Sequence, residues 1–226
     1  MPVSQFFGNS LQGLTHSENQ DGYLILDKRK YILFAVFDGV SCSQNPRKGV
    51  EGAIEFIRAE HSNFVGNNAM RLKEMMYGAN QYILKRDWPE SLTTYVVAGF
   101  FKHDPLLLYF SNLGDSRIYF IRNSEMHCLT KDDTLWPGSN VLTRCLGIKE
   151  LPIAQFREKQ VRLEDGYLLL ASDGFYSIME MEKTKFIQYL DDRESRSINM
   201  DITTIIAGKN IDDATYVIVK NSLQIA

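Results

Sequence analysis

The segment that most limits how this chain can fold is Tyr31-Ile-Leu-Phe-Ala-Val-Phe-Asp38-Gly-Val-Ser-Cys42. Seven apolar residues run unbroken to a carboxylate, which is followed at once by glycine. Such a run reads as a strand buried on both faces. A charge seldom ends a strand of this kind unless it is paired or holds a metal. Gly39 permits a sharp backbone turn, so its carbonyl can face the same point as the Asp38 carboxylate. Two readings follow from the segment alone: Asp38 bridges metal ions, or it is an aspartate that starts a turn.

The rest of the chain supplies the core such a strand needs. Its 226 residues, 44% of them hydrophobic and 23% charged, fit one soluble α+β domain over 1–226. A net charge of −3 lacks the basic excess of a nucleic-acid footprint. No apolar run approaches the roughly 20 residues that span a bilayer, and Met1-Pro-Val-Ser carries no basic leader. The cysteines Cys42, Cys128 and Cys145 are odd in number and far apart, which fits reduced thiols in a cytoplasmic protein.

In chain order, Tyr23–Leu26 and Tyr31–Phe37 read as a hairpin across Asp27-Lys-Arg-Lys30. Val50, Ala53, Ile54 and Ile57 form one helical face, and Leu72, Met75, Met76, Ala79 and Ile83 a second. Strands are expected at Thr93–Phe101, Leu106–Phe110, Ile118–Arg122, Glu125–Leu129, Tyr167–Ala171 and Tyr216–Val219. Two more helices carry Phe186, Ile187 and Leu190, then Ile198, Ile202, Ile205 and Ile206. Consecutive hairpins predict antiparallel sheets, because parallel neighbours need a crossover between each pair. Helices grouped in pairs then cover the outer faces, giving a four-layer α-β-β-α sandwich.

Carboxylates recur at strand ends: Asp21, Asp38, Asp115, Asp173 and the Asp212-Asp213 pair. Glycine adjoins three of these sites, at Gly39, Gly114 and Gly174. Two carboxylates ~4 Å apart repel by about 4 kcal/mol at an effective dielectric near 20. If the five sites converge, they need counter-cations or raised pKa values. Oxygen-only ligands suit Mn²⁺ or Mg²⁺. Turns also favour aspartate, so position alone leaves five unrelated turn residues as the alternative.

Six motifs carry a resemblance. Asn19-Gln-Asp21, Val36-Phe-Asp38-Gly39, Gly114-Asp-Ser-Arg117, Leu142-Thr-Arg-Cys-Leu-Gly147, Ala171-Ser-Asp-Gly174 and Asp212-Asp-Ala-Thr215 stand in this order between residues 13 and 219. Together they resemble the metal-dependent serine/threonine phosphatases of the PP2C (PPM) family, in the compact bacterial form. The resemblance implies two stacked antiparallel sheets flanked by helix pairs. It also implies hydrolysis of phosphoserine and phosphothreonine in proteins by a water bridging two Mn²⁺ or Mg²⁺ ions. Asp38 would bridge both ions, with the Gly39 carbonyl on the second. Asp173 and Asp212 would complete the first, Asp21 would hold the second through water, and Asp115 with Asp173 a third. Phosphorylated proteins, opposite a serine/threonine kinase, are the implied partners of a cytoplasmic monomer that needs neither nucleic acid nor membrane.

The chain departs from that pattern in four places. His16 replaces the arginine that grips phosphate, which makes it either a candidate catalytic residue beside Asp38, with weaker phosphate binding or a pH-dependent KM, or a solvated loop histidine. Val40 stands where some members carry a histidine acid. Asp213 replaces an asparagine, adding charge that either tightens metal binding or faces solvent. The mobile flap is cut down to Asp132–Asn140.

Other phosphatase chemistries fail on the text. Cys42, Cys128 and Cys145 have Lys48, Thr134 and Leu151 where a cysteine phosphatase needs its loop arginine. Val40 occupies the second aspartate position of a haloacid-dehalogenase site. A catalytically weak or inactive phosphatase-like binding module is the remaining alternative. It rests on His16 and the short flap.

Overall fold

A computed structural model describes residues 5–191 and 195–221. Met1–Ser4, on which the expectation of no basic leader falls, lie outside the described residues. The strands are β1 (Gln5–Leu11), β2 (Gly22–Asp27), β3 (Tyr31–Gly39), β4 (Thr93–Phe101), β5 (Asp104–Leu113), β6 (Arg117–Arg122), β7 (Glu125–Cys128), β8 (Lys159–Arg162), β9 (Gly166–Ala171) and β10 (Ala214–Asn221). The helices are α1 (Pro46–Phe64), α2 (Leu72–Leu84), α3 (Asp173–Met181), α4 (Lys183–Asp191) and α5 (Ser195–Ile206). One sheet has the order β1-β10-β9-β6-β7, the other β2-β3-β4-β5-β8. Every pairing within them is antiparallel.

Period-two alternation sorts the strand residues into layers. On β3, Leu33, Ala35 and Phe37 pack with Val50, Ala53, Ile57, Met75 and Met76 beneath α1 and α2. Ile32, Phe34 and Val36 face the other way, against Leu168, Leu170, Val217 and Val219 of the second sheet. The alternate residues of that sheet, Leu169, Ala171, Tyr216 and Ile218, pack on Phe175, Phe186, Leu190, Ile202 and Ile206 of the remaining helices. Three apolar strata thus separate four layers, as the sequence predicts. Asp38 continues the Phe34–Val36 face, so its side chain belongs to the gap between the sheets.

Three elements were not expected from sequence. β1 and β8 are edge strands, and α3 adds a third helix to a cover predicted to hold two. Gln5-Phe-Phe-Gly-Asn-Ser-Leu11 breaks its apolar run at Gly8, where a Cβ would lie 2.9 Å from the Tyr23 ring. Lys159-Gln-Val-Arg162 has the charged composition that discourages edge-to-edge pairing. No described helix is long and apolar enough to cross a membrane.

Candidate metal centre

The register brings the carboxylates to one end of the sandwich. Leu11 pairs with Ala214, Tyr216 with Ala171, Ala171 with Arg117, and Tyr119 with Cys128. The end of β1, the start of β10, the end of β9, the start of β6 and the end of β7 therefore form one edge. Asp212, Asp173 and Asp115 stand along it. In the facing sheet, Gly22 pairs with Phe37, so Asp21 and Asp38 flank the same end.

Asp173 is the hub, because its charge bears on all four of the other expected ligands. Burial holds the Asp38 carboxyl well above the usual carboxylate range, and Asp21, Asp173 and Asp115 push it further. A carboxyl–carboxyl hydrogen bond with Asp173 acts in the same direction. Asp21 is 2% exposed, and burial raises it strongly against hydrogen bonds from Ser172 and Thr215. Burial and then Asp173 raise Asp115 to about 7. The same two causes, in the same order, raise Asp212. Among the described residues no arginine or lysine is ion-paired to Asp21, Asp38, Asp115 or Asp173. Arg117, the nearest cation to Asp115, is held by Asp132 at 2.8 Å and Glu180 at 3.0 Å.

Local sequence explains how each carboxylate is aimed. Ser172 precedes α3 and donates its hydroxyl to Asp21 Oδ2 at 2.7 Å, while the Asp21 N–H donates to Asn19 Oδ1 at 2.9 Å. Arg47 of α1 secures the same loop through the carbonyls of Asp21 (2.5 Å) and Asn19 (3.2 Å). Thr93 donates to the Asp38 carbonyl at 2.8 Å. A Cβ at Gly39 would lie 2.7 Å from the Gln20 carbonyl, so only glycine lets the Asp21 and Asp38 segments touch. At Gly174 a Cβ would strike the Asp213 carbonyl, and Gly114 has φ +95°. The glycine next to each aspartate thus serves close approach or a left-handed turn.

His16 and Asp213 form one contact. Asp213 does not face solvent, and its carboxylate lies within 4.8 Å of the ligand atoms of His16 and Asp212, a group able to hold a metal ion. Asp213 is 2% exposed, and its carboxylate accepts the N–H groups of Gly13 and Gln20, both at 2.6 Å, and His16 Nδ1 at 2.9 Å. His16 therefore keeps only Nε2 for other partners, and that atom lies 3.4 Å from Ser41 Oγ. His16 Nδ1 is also 3.5 Å from Asp212 Oδ1, which places the ring at the rim of the cluster. Ser172, Thr215, Asn19 and Arg47 were not singled out as supports from sequence. Their hydroxyl, amide and guanidinium groups carry no spacing signal of their own.

The shortened flap is a small ordered hairpin. Thr134 bridges Leu142, and the Leu135 N–H donates to the Val141 carbonyl at 2.9 Å. Its root is Asp133, 2% exposed, which pairs with both Arg144 and Arg157. Asp133 also exchanges two hydrogen bonds with Gly114, accepting its N–H at 3.2 Å and donating to its carbonyl at 2.8 Å. The hairpin root and the Asp115 turn are therefore one unit. Nearby Cys42 is exposed, while burial pushes the Cys145 thiol up to about 12.

No family profile and no curated protein matches this sequence. Solved structures do match its shape over nearly its whole length. The S. agalactiae serine/threonine phosphatase has a TM-score of 0.79 at 19% identity, covering 97% of this chain and 100% of that one. The PPM Ser-Thr phosphatase MsPP from Mycobacterium smegmatis, in complex with cacodylate, gives 0.77 at 21% identity, with 96% and 98% covered. The catalytic domain of the serine threonine protein phosphatase PstP, in complex with two manganese ions, gives 0.72 at 20% identity, again with 96% and 98% covered. The two five-stranded antiparallel sheets and their helical covers are the fold of the PPM-type serine/threonine phosphatases.

Proposed function

We propose that this chain is a single-domain metal-dependent phosphatase, spanning 1–226, that hydrolyses phosphoserine and phosphothreonine in proteins. The observation that carries the proposal is the convergence of Asp21, Asp38, Asp115 and Asp212 on Asp173, with no lysine or arginine paired to them among the described residues. Buried carboxylates in this number resist joint ionisation unless cations join them. The donor set is all oxygen, which fits Mn²⁺ or Mg²⁺. Asp38, Asp173 and Asp212 would hold one ion, Asp38, Asp21 and the Gly39 carbonyl a second, and Asp115 with Asp173 a third. Such ions supply positive charge and a nucleophilic water for attack on phosphorus.

The chain's own groups do the rest. Ser172, Asn19 and Arg47 fix the Asp21 loop, and the buried β3 strand fixes Asp38, so the ligands are preorganised. His16, anchored at Nδ1 by Asp213, can present Nε2 to a phosphate oxygen at the rim. Val40 offers no proton donor, so solvent protonates the leaving oxygen. Phosphorylated proteins are the substrates, in opposition to a serine/threonine kinase. The protein acts as a cytoplasmic monomer with reduced cysteines, independent of membrane and nucleic acid. Retention of all five ligand sites favours this reading over an inactive binding module.

The test is hydrolysis of para-nitrophenyl phosphate and of a phosphothreonine peptide by pure protein, with Mn²⁺, with Mg²⁺ and with chelator. Turnover that appears with metal and disappears with chelator is expected. Its absence with both metals sinks the proposal.

A further inference from the structure

Five of the large apolar side chains exposed to solvent stand at the two ends of the carboxylate row. At one end are Leu14, 67% exposed, and Ile211, 69% exposed. They are held side by side by the Leu14 N–H to Asn210 carbonyl bond (3.0 Å) and the Thr15 N–H to Ile211 carbonyl bond (3.2 Å). This spot adjoins His16 and Asp212. At the other end is the 134–142 hairpin, with Leu135 and Trp136 each 58% exposed and Val141 55% exposed. Leu135 and Val141 are opposite one another across the hairpin, so they form one apolar face. The Asp133 root attaches that face to the Asp115 turn.

Strand order sets the distance between the two spots. Leu14 follows β1, an outer strand of one sheet, and the hairpin is rooted through Asp133 on Gly114, at the entrance to β6. Three strand intervals separate these anchors, about 14 Å at ~4.8 Å each. Asp212 and Asp173 lie between, with Asp115 at the foot of the hairpin. A single ligand that covers both apolar spots must therefore cross the acidic centre. An extended peptide rises ~3.3 Å per residue, so about four residues span the gap.

We infer that the centre takes extended phosphorylated protein segments with apolar side chains about two residues on either side of the phosphorylated residue. This specificity rests on the phosphatase reading and adds the kind of sequence around the phosphate. The spots are fixed in place by the Asp133 root and by the Leu14–Ile211 backbone bonds, so binding needs little ordering of the enzyme. Exposed apolar patches rimmed by polar groups are the usual form of such contact surfaces.

The experiment compares three phosphothreonine peptides on the Mn²⁺-loaded protein: leucine at both flanking positions, serine at both, and leucine at one only. Para-nitrophenyl phosphate, which lacks flanking residues, normalises each enzyme. The doubly apolar peptide is expected to have a kcat/KM about tenfold above the doubly polar one. Leu135→Ser with Trp136→Ser, and separately Ile211→Ser, should each reduce that ratio to about threefold or less. All three residues are exposed, so these changes leave the core intact. Turnover of para-nitrophenyl phosphate with equal kcat/KM on the three peptides overturns this inference and spares the phosphatase reading. If nothing is turned over, that reading fails, and fluorescence anisotropy of the same labelled peptides decides. Tighter binding of the doubly apolar peptide, lost in the variants, upholds the surface; equal binding refutes it.

Discussion

His16 Nδ1 lies 2.9 Å from Asp213 Oδ2, and the two residues are 197 positions apart in the chain. Each departs from the PP2C pattern, with histidine in place of arginine and aspartate in place of asparagine. Their contact makes the two departures one. Asp213 also accepts the N–H groups of Gly13 and Gln20, so its carboxylate acts only as acceptor and Nδ1 carries the proton. The pair fastens the loop after β1 to the entrance of β10 and turns Nε2 toward the rim.

That contact predicts a pH-dependent contribution to stability. Burial lowers the His16 pKa, but the Asp213 hydrogen bond and the charges of Asp213, Asp212 and Asp173 outweigh it, so the net shift is upward. A raised folded pKa means stability that is fully present below the unfolded value near ~6.5 and lost as pH rises through the folded value. Wild type should therefore exceed His16→Gln by about 1.5–3 kcal/mol at low pH, the range for a hydrogen bond to a charged group. Melting curves of both proteins with pH show whether that margin narrows above neutrality.

The carboxylates predict an opposite effect of metal on the same axis. Asp115 has a folded pKa of about 7, and Asp21 and Asp38 are also raised. The folded state thus binds more protons than the unfolded state between the ordinary carboxylate value and about 7. Chelated protein should lose melting temperature as pH climbs through that window. Added Mn²⁺ should restore most of it, by differential scanning calorimetry at matched ionic strength.

Asp38→Asn separates ligand chemistry from folding. Isothermal titration should show loss of the tightest Mn²⁺ site, and turnover should fall by about 100-fold or more. The metal-free variant should melt at a higher temperature than wild type, because one charge leaves a repelling cluster. Retained turnover would refute the bridging role.

Asp133→Ala tests the root of the hairpin. It strands Arg144 and Arg157 beside a buried site and leaves the Gly114 N–H without its carboxylate. A loss of about 3 kcal/mol is expected by denaturant titration, the lower end for breaking a buried ion pair. Asp133→Asn keeps one acceptor and should lose less.

The sequence made the frame of this site readable because the frame is periodic. Tyr31–Phe37 announces a buried strand, and the Asp-Gly and Gly-Asp pairs mark where strands stop and backbones pass closely. The edge strands were hidden by the same physics. Lys159–Arg162 pairs along β5 through backbone groups and the Arg162–Asp104 ion pair, and Val161 is its only apolar side chain, so the segment carries no alternation to detect. α3 begins on the Ser172-Asp-Gly174 motif itself, and a motif read as the end of a strand concealed the helix it starts. The His16–Asp213 contact and the Asp133 node join residues from separate loops. Only the register of the finished sheets brings them into reach.

Gly138 marks the tip of the hairpin, with φ +80° and open space where a Cβ would sit. Beneath it, the Thr134–Leu142 bridge and the Asp133 root hold the two ends of the loop at fixed separation. Anchorage and tip are therefore mechanically independent. Extra residues inserted between Pro137 and Gly138 would lengthen the loop at only a slowly growing entropic cost, without disturbing Asp115. The position is a natural splice point, at which a recognition segment can be added without altering the frame beneath it.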